Sequence, residues 1–174
     1  PLILMQPKGM LRDPNKASTI EEFTASNFQC AIDDPGISSP EQVRRVVLCS
    51  GKVYYTLRDE REKSKDKTNV AIVRIEQLYP FPEKEVSQIL VRYSRKTEVT
   101  WCQEEPANRG GWSFIQPRLR TMLPDVLINY AGRDAAASPA VGNTKESMKE
   151  EREFVSVALK IAQNAASPSA AAVR

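Results

Sequence analysis

The sequence predicts an α/β fold: three layers, with a mostly parallel sheet and helices on both faces. Three observations lead there. Short apolar or β-branched runs recur at residues 46–49, 70–75, 98–103 and 126–131, the first unbroken, as in a strand covered on both faces. The segments between them space apolar residues as one face of a helix does. Glycine and proline punctuate the joins, and strands alternating with helices at this spacing give a parallel, right-handed sheet.

The first elements are less regular. Leu2, Ile3, Leu4 and Met5 read as a buried strand, closed by Gln6-Pro7-Lys8-Gly9, where Pro7 removes a ladder donor. From residue 11 to 41, Pro14, Asp33-Asp34-Pro35-Gly36 and Ser38-Ser39-Pro40 separate scattered anchors such as Ile20, Phe23, Phe28 and Ile32. This stretch reads as an ordered linker lying over a neighbouring surface, with at most a short helix near 18–23 that Ser18 would cap. A strand, a long linker and then a fresh strand–helix unit place a domain boundary before Arg45. The chain thus divides into residues 1–10, a linker over 11–44, an α/β domain over 45–163 and an Ala/Ser-rich tail over 164–174.

The α/β domain is organised around Arg45-Val46-Val47-Leu48-Cys49-Ser50-Gly51-Lys52-Val53-Tyr54-Tyr55. Here a strand turns at Ser-Gly into a polar helix, with Ser50 as the expected N-cap. The free N–H groups of the first turn favour an anion, and Lys52 is placed to help hold it. The plainer reading is an ordinary strand-to-helix turn, because neither a dinucleotide fingerprint nor a phosphate-binding loop is present.

The helix from 53 to about 65 carries Val53, Tyr54 and Leu57 inward, then the solvated run Arg58-Asp59-Glu60-Arg61-Glu62-Lys63. After the strand at 70–75, Glu76-Gln77-Leu78-Tyr79-Pro80-Phe81-Pro82 cannot be helical throughout, and Pro82 suits the first position of the next helix. There Val86, Ile89, Leu90 and Tyr93 form one stripe. Trp112, Ile115, Leu119 and Met122 share a later helical face that contains or is bent by Pro117. A closing helix over 145 to about 162 turns Met148, Val155, Ala158, Leu159 and Ala162 inward.

Composition narrows function. The chain has 174 residues and a formal net charge of +3 with both signs interspersed, which argues against a nucleic-acid partner. No apolar run is long enough to span a bilayer. Cys30, Cys49 and Cys102 match neither a disulfide framework nor a zinc site; Cys49 and Cys102 read as small buried residues inside strands. Histidine is absent, which removes Ser-His and Cys-His nucleophiles and the commonest neutral-pH proton carrier. An active site built wholly within this chain would have to rely on carboxylates, Lys, Tyr or Cys; no catalytic residue and no metal site is assigned.

Ligands of such sheets gather at the carboxyl ends of strands, which here carry Ser50-Gly51-Lys52, Glu76-Gln77, Gln103-Glu104-Glu105 and Gly132-Arg133-Asp134. Glu76 with Glu104 and Glu105 admits an acid/base reading as in a carboxylate hydrolase, and Lys52, Arg58 and Arg133 admit a phosphorylated ligand. A rim network of ion pairs explains the same residues without a ligand.

Five blocks, in register, carry a resemblance: Met5-Gln6-Pro7-Lys8-Gly9-Met10-Leu11-Arg12; Ser50 to Tyr55; Ile75 to Pro82; Trp101-Cys102-Gln103-Glu104-Glu105-Pro106-Ala107-Asn108-Arg109-Gly110; and Tyr130-Ala131-Gly132-Arg133-Asp134. Together they resemble the C-terminal part of the thiamine-diphosphate-dependent, decarboxylating first component of 2-oxoglutarate dehydrogenase, from Pro1 to about Leu159. The 2-oxoadipate-type dehydrogenases share the pattern.

The resemblance implies a transketolase C-terminal-like domain, preceded by the last strand of a pyrimidine-binding domain and the interdomain linker. In that family a Gly-Asp-Gly motif with a later Asn holds the cofactor diphosphate and its Mg2+, and histidines assist catalysis; this chain has neither. The expectation is a fragment without activity of its own. Its parent would be a tricarboxylic acid cycle enzyme of the mitochondrial matrix, or of the cytoplasm in a bacterium. The fragment's share would be packing, homodimer contacts and regulation, the parent's partner being the dihydrolipoyl succinyltransferase component. Relatives regulated by acetyl-CoA point to Ser50, Lys52 and Arg133 for the anionic part of such a ligand. The alternative from the residues alone is a free-standing anion- or nucleotide-binding α/β module.

Overall fold

The computed structural model describes residues 1–3, 7–64, 69–93 and 97–160. Five strands form one sheet in the order β1-β3-β2-β4-β5: β1 Ala31–Ile32, β2 Arg45–Cys49, β3 Val70–Ile75, β4 Glu98–Pro106 and β5 Ile128–Arg133. The last four run parallel, and β1 pairs antiparallel to β3 with Ala31 opposite Ile75. The helices are α1 Ile20–Ala25, α2 Val53–Lys63, α3 Glu83–Leu90, α4 Trp112–Met122 and α5 Thr144–Leu159.

Alternation along β2 builds both cores. Val46 and Leu48 face α3 and α4, packing with Val86, Ile115 and Leu119, while Val47 and Cys49 face α2 and α5, packing with Leu57, Phe154 and Ala158. Every β2 residue is buried, and beyond Arg45 the strand reads as an unbroken apolar run from Val46 to Cys49. The chain moves from β2 outward to β3, then back across β2 to β4, and this reversal puts α2 and α3 on opposite faces.

Several expectations shift in detail. Ser50 does not cap α2: Lys52 occupies that position in helical conformation, without a side-chain cap bond. The linker helix starts one residue later than a Ser18 cap would place it, because Thr19 is the N-cap and forms a reciprocal capping box with Glu22. Pro82 sits just before α3 as its N-cap residue. The fourth parallel strand begins at Ile128, and Met148 points outward, 57% exposed. Pro117 lies inside α4. Leu2 and Ile3 carry no regular structure and are exposed; Leu4 and Met5 of the expected first strand, Lys65, Ala162 and the 164–174 tail lie outside the described residues.

The linker contributes an edge strand, which its two-residue length and flanking Asp-Asp-Pro-Gly hide from periodicity. It is also bolted down. Asp34, 5% exposed, pairs with Arg61 of α2 and accepts the Ile72 N–H at 2.7 Å, while Asp33 accepts the Tyr93 hydroxyl at 2.5 Å.

Candidate functional site

In a sheet of this order the crevice for ligands opens where the chain's direction of travel reverses, between the carboxyl ends of β2 and β4. Gly51, with φ +75°, turns the chain there and presents Lys52. The crevice is filled by ion pairs. Lys52 Nζ lies 2.6 Å from Glu104 Oε1 at the end of β4 and 3.4 Å from Glu151 Oε1 on α5. The Thr56 hydroxyl donates to the same Glu151 oxygen at 3.4 Å. Burial pulls the Lys52 pKa down, but the hydrogen bond and charge of Glu104, with Glu151 behind it, outweigh that and leave it raised.

Arg133, at the end of β5, is engaged in the same way. Its Nε donates to Glu150 Oε2 at 2.7 Å, Nη1 to the Glu104 carbonyl, and Nη2 to the Ser147 carbonyl and hydroxyl at 3.3 and 3.2 Å. Its guanidinium also lies 5.5 Å from the centre of the Phe154 ring. Both cations therefore bind α5 to the strand ends. Arg133 lines a cleft of about 750 Å³ with Tyr130, Glu146 and Glu153, but neither Ser50 nor Lys52 lines it. The structure brings the three candidates to one rim without gathering them into one pocket.

The acid/base reading fails on placement. Glu76 leaves β3 and binds Arg74 at 2.7 Å, whereas Glu104 leaves β4 and binds Lys52, with β2 between the two strands. Cys49 and Cys102 sit opposite each other in β2 and β4, and burial raises the pKa of both, so they pack as neutral thiols.

Gln103, which the sequence places at a strand end without a role, organises the rim. Gln103, 3% exposed, accepts the Trp101 indole N–H and the Trp112 backbone N–H, both at 2.9 Å. Its amide nitrogen donates to the carbonyls of Glu105, Pro106 and Arg109 at 3.1, 3.1 and 2.8 Å. The loop so fixed is tied to its neighbour, since Asn108 exchanges two hydrogen bonds with Ala136 and Arg109 donates to the Ala137 carbonyl. The only hint in sequence is a polar residue closing an apolar strand just before two acids.

Comparison with known proteins matches residues 17–159 to a family described as 2-oxoglutarate dehydrogenase C-terminal. The chain belongs to that family. It is 44% identical over 160 residues to a 2-oxoglutarate dehydrogenase E1 component of Haemophilus influenzae, covering 91% of this chain and 17% of that protein. A Geobacillus 2-oxoglutarate dehydrogenase E1 component is 42% identical over 161 residues, again 91% and 17%. An oxoglutarate dehydrogenase of Buchnera aphidicola is 41% identical over 162 residues, 92% and 18%. The chain thus spans about a sixth of the length of these relatives. The 2-oxoglutarate dehydrogenase C-terminal match takes in α1 and β1 as well as the rim, and it ends with α5 at Leu159.

Proposed function

We propose that this chain is the C-terminal region of a 2-oxoglutarate dehydrogenase E1 component, and that its work there is packing and subunit contact rather than chemistry. The longer polypeptide would decarboxylate 2-oxoglutarate with thiamine diphosphate and pass the succinyl-level fragment to the lipoyl arm of a succinyltransferase. The observation that carries the reading is the 44% identity over 160 residues, set against only 17% of the relative's length. The relatives' names favour 2-oxoglutarate over 2-oxoadipate, and their bacterial sources favour a bacterial cytoplasm over a mitochondrial matrix. We place the parent in a homodimer.

Thiamine diphosphate with its Mg2+ needs several oxygen ligands converging on one ion. Among the described residues no group of three or more Asp, Glu, Cys or His side chains converges in that way. The described residues offer no such set, so no step of the cofactor's chemistry is assigned to them. Sequencing the coding region upstream of Pro1 tests the reading: the remainder of an E1 component supports it, and an immediate start codon contradicts it.

Acetyl-CoA regulation through Ser50, Lys52 and Arg133 is a separate proposal, and the geometry sets its terms. A ligand phosphate would have to displace Glu104 and Glu151 from Lys52. Calorimetric titration with acetyl-CoA is expected to show binding that Lys52→Glu abolishes; absence of heat in the unmodified chain, or unchanged heat in the variant, removes the proposal.

A further inference from the structure

The charged helices and the linker present opposite kinds of surface. The outer face of α2 carries Arg58, Asp59, Glu60, Glu62 and Lys63, as a face left to water should. The linker turns large apolar side chains outward instead: Ile20 is 76% exposed, Phe23 78% and Phe28 71%, and Tyr79 of the β3–α3 loop is 81% exposed. Ile20 and Phe23 are three apart and share one face of α1. Backbone N–H groups of Glu76 and Gln77 donate to the Cys30 carbonyl at 2.9 and 3.1 Å, which brings the chain just after Phe28 to the rim that carries Tyr79. Each of the three aromatic side chains is more than two-thirds exposed.

These side chains are mounted on a fixed support. On one side of α1, Lys16 lies 5.4 Å from the centre of the Tyr55 ring of α2; on the other, β1 pairs with β3 and Asp34 pairs with Arg61. Between those anchors α1 has six residues and buries none of them. A helix that short does not hold itself together in water, even with a capping box. Its geometry requires a surface that these residues do not supply.

We propose that Ile20, Phe23, Phe28 and Tyr79 form the docking surface for the part of the same polypeptide that precedes this region. The inference rests on the reading of the chain as an E1 C-terminal region. The argument for that occupant is length: the relatives matched here have about five-sixths of their chain outside the match, and the family description places the matched part at the C-terminus. An apolar surface from that polypeptide, without charge opposite the rings, is the chemistry that fits.

Hydrogen–deuterium exchange tests this by comparing the 174-residue chain with the longer E1 polypeptide that contains it. The α1 amides should exchange at least about tenfold more slowly in the longer protein, while α5 amides stay unchanged. In the longer protein a Phe23→Asp, Phe28→Asp double variant should return α1 to fast exchange, and Met148→Asp should not. Equal exchange of α1 in both proteins overturns the docking surface while leaving the E1 reading intact. Protection of α1 in the short chain that rises with its concentration also overturns it, because the occupant is then a second copy. If no longer E1 polypeptide exists, the underlying reading falls and takes the inference with it.

Discussion

At Gln103 a single buried amide accepts from the Trp101 indole N–H and the Trp112 backbone N–H and donates to three loop carbonyls, so its loss strands several polar groups at once. Gln103→Leu should cost about 3 kcal/mol, read as a shift of the urea midpoint at unchanged slope. Thr100 offers the contrasting case: it is fully buried, and its hydroxyl has no partner among the described residues. Thr100→Val should be neutral or stabilise by up to about 1 kcal/mol, because a polar group without compensation is removed. Glu98 predicts the acid limb of stability. Hydrogen bonds from Lys160 and then Arg45 hold its pKa below the usual glutamate range. Its folded value is therefore lower than its unfolded one, so its stabilisation is complete above the unfolded value and disappears as pH falls through the folded value. Glu98→Gln should flatten that part of a stability-against-pH curve. Lys52 has the opposite sign: its pKa is raised, so its contribution is complete below the ordinary lysine value and is lost as pH climbs through the folded one.

At the scale of elements, α5 is held at its C-terminal end and along its middle by side chains from distant parts of the chain. Arg45 of β2 donates to the Val157 and Ala158 carbonyls at 2.7 and 3.0 Å and to Glu98 Oε2, satisfying the helix's last acceptors. Lys52 and Arg133 hold Glu151 and Glu150 nearer its start. Arg45→Met keeps the length of the side chain and removes the donors; the last turn of α5 should then exchange its amides faster, with the first turns little changed. Asp34 plays the same part for the linker. Asp34→Ala removes the buried carboxylate from Arg61, leaving it the more exposed Glu62 at 3.7 Å and the Val70 carbonyl, and should cost about 3 kcal/mol.

The strands and helices were legible because each repeats one pattern over several residues: unbroken burial along β2, and the Val86, Ile89, Leu90 stripe of α3. What escaped was decided by single long-range contacts. β1 has two residues, and only its pairing with Ile75 and Arg74 makes it a strand. Met148 fits a core stripe by spacing, yet α5 packs through Val155, Ala158 and Leu159 and leaves it outside. The rim was foreseen as acids and bases at strand ends, but which acid meets which base depends on α5 folding back over β4 and β5, and no local pattern encodes that.

For the whole molecule, one sheet with two apolar cores accounts for the parallel strands, and the crevice where ligands bind in such sheets is closed by Lys52, Glu104 and Glu151. The chain supplies no histidine, and Glu98, Asp34, Glu76 and Glu150 are paired with Arg45, Arg61, Arg74 and Arg133. On the proposed reading of the chain as an E1 C-terminal region, the decarboxylation belongs to residues outside it. The most direct check is release of carbon dioxide from 2-oxoglutarate by the purified 174-residue chain, supplied with thiamine diphosphate and Mg2+. The account predicts no release above the rate without protein; turnover that scales with protein concentration would contradict it.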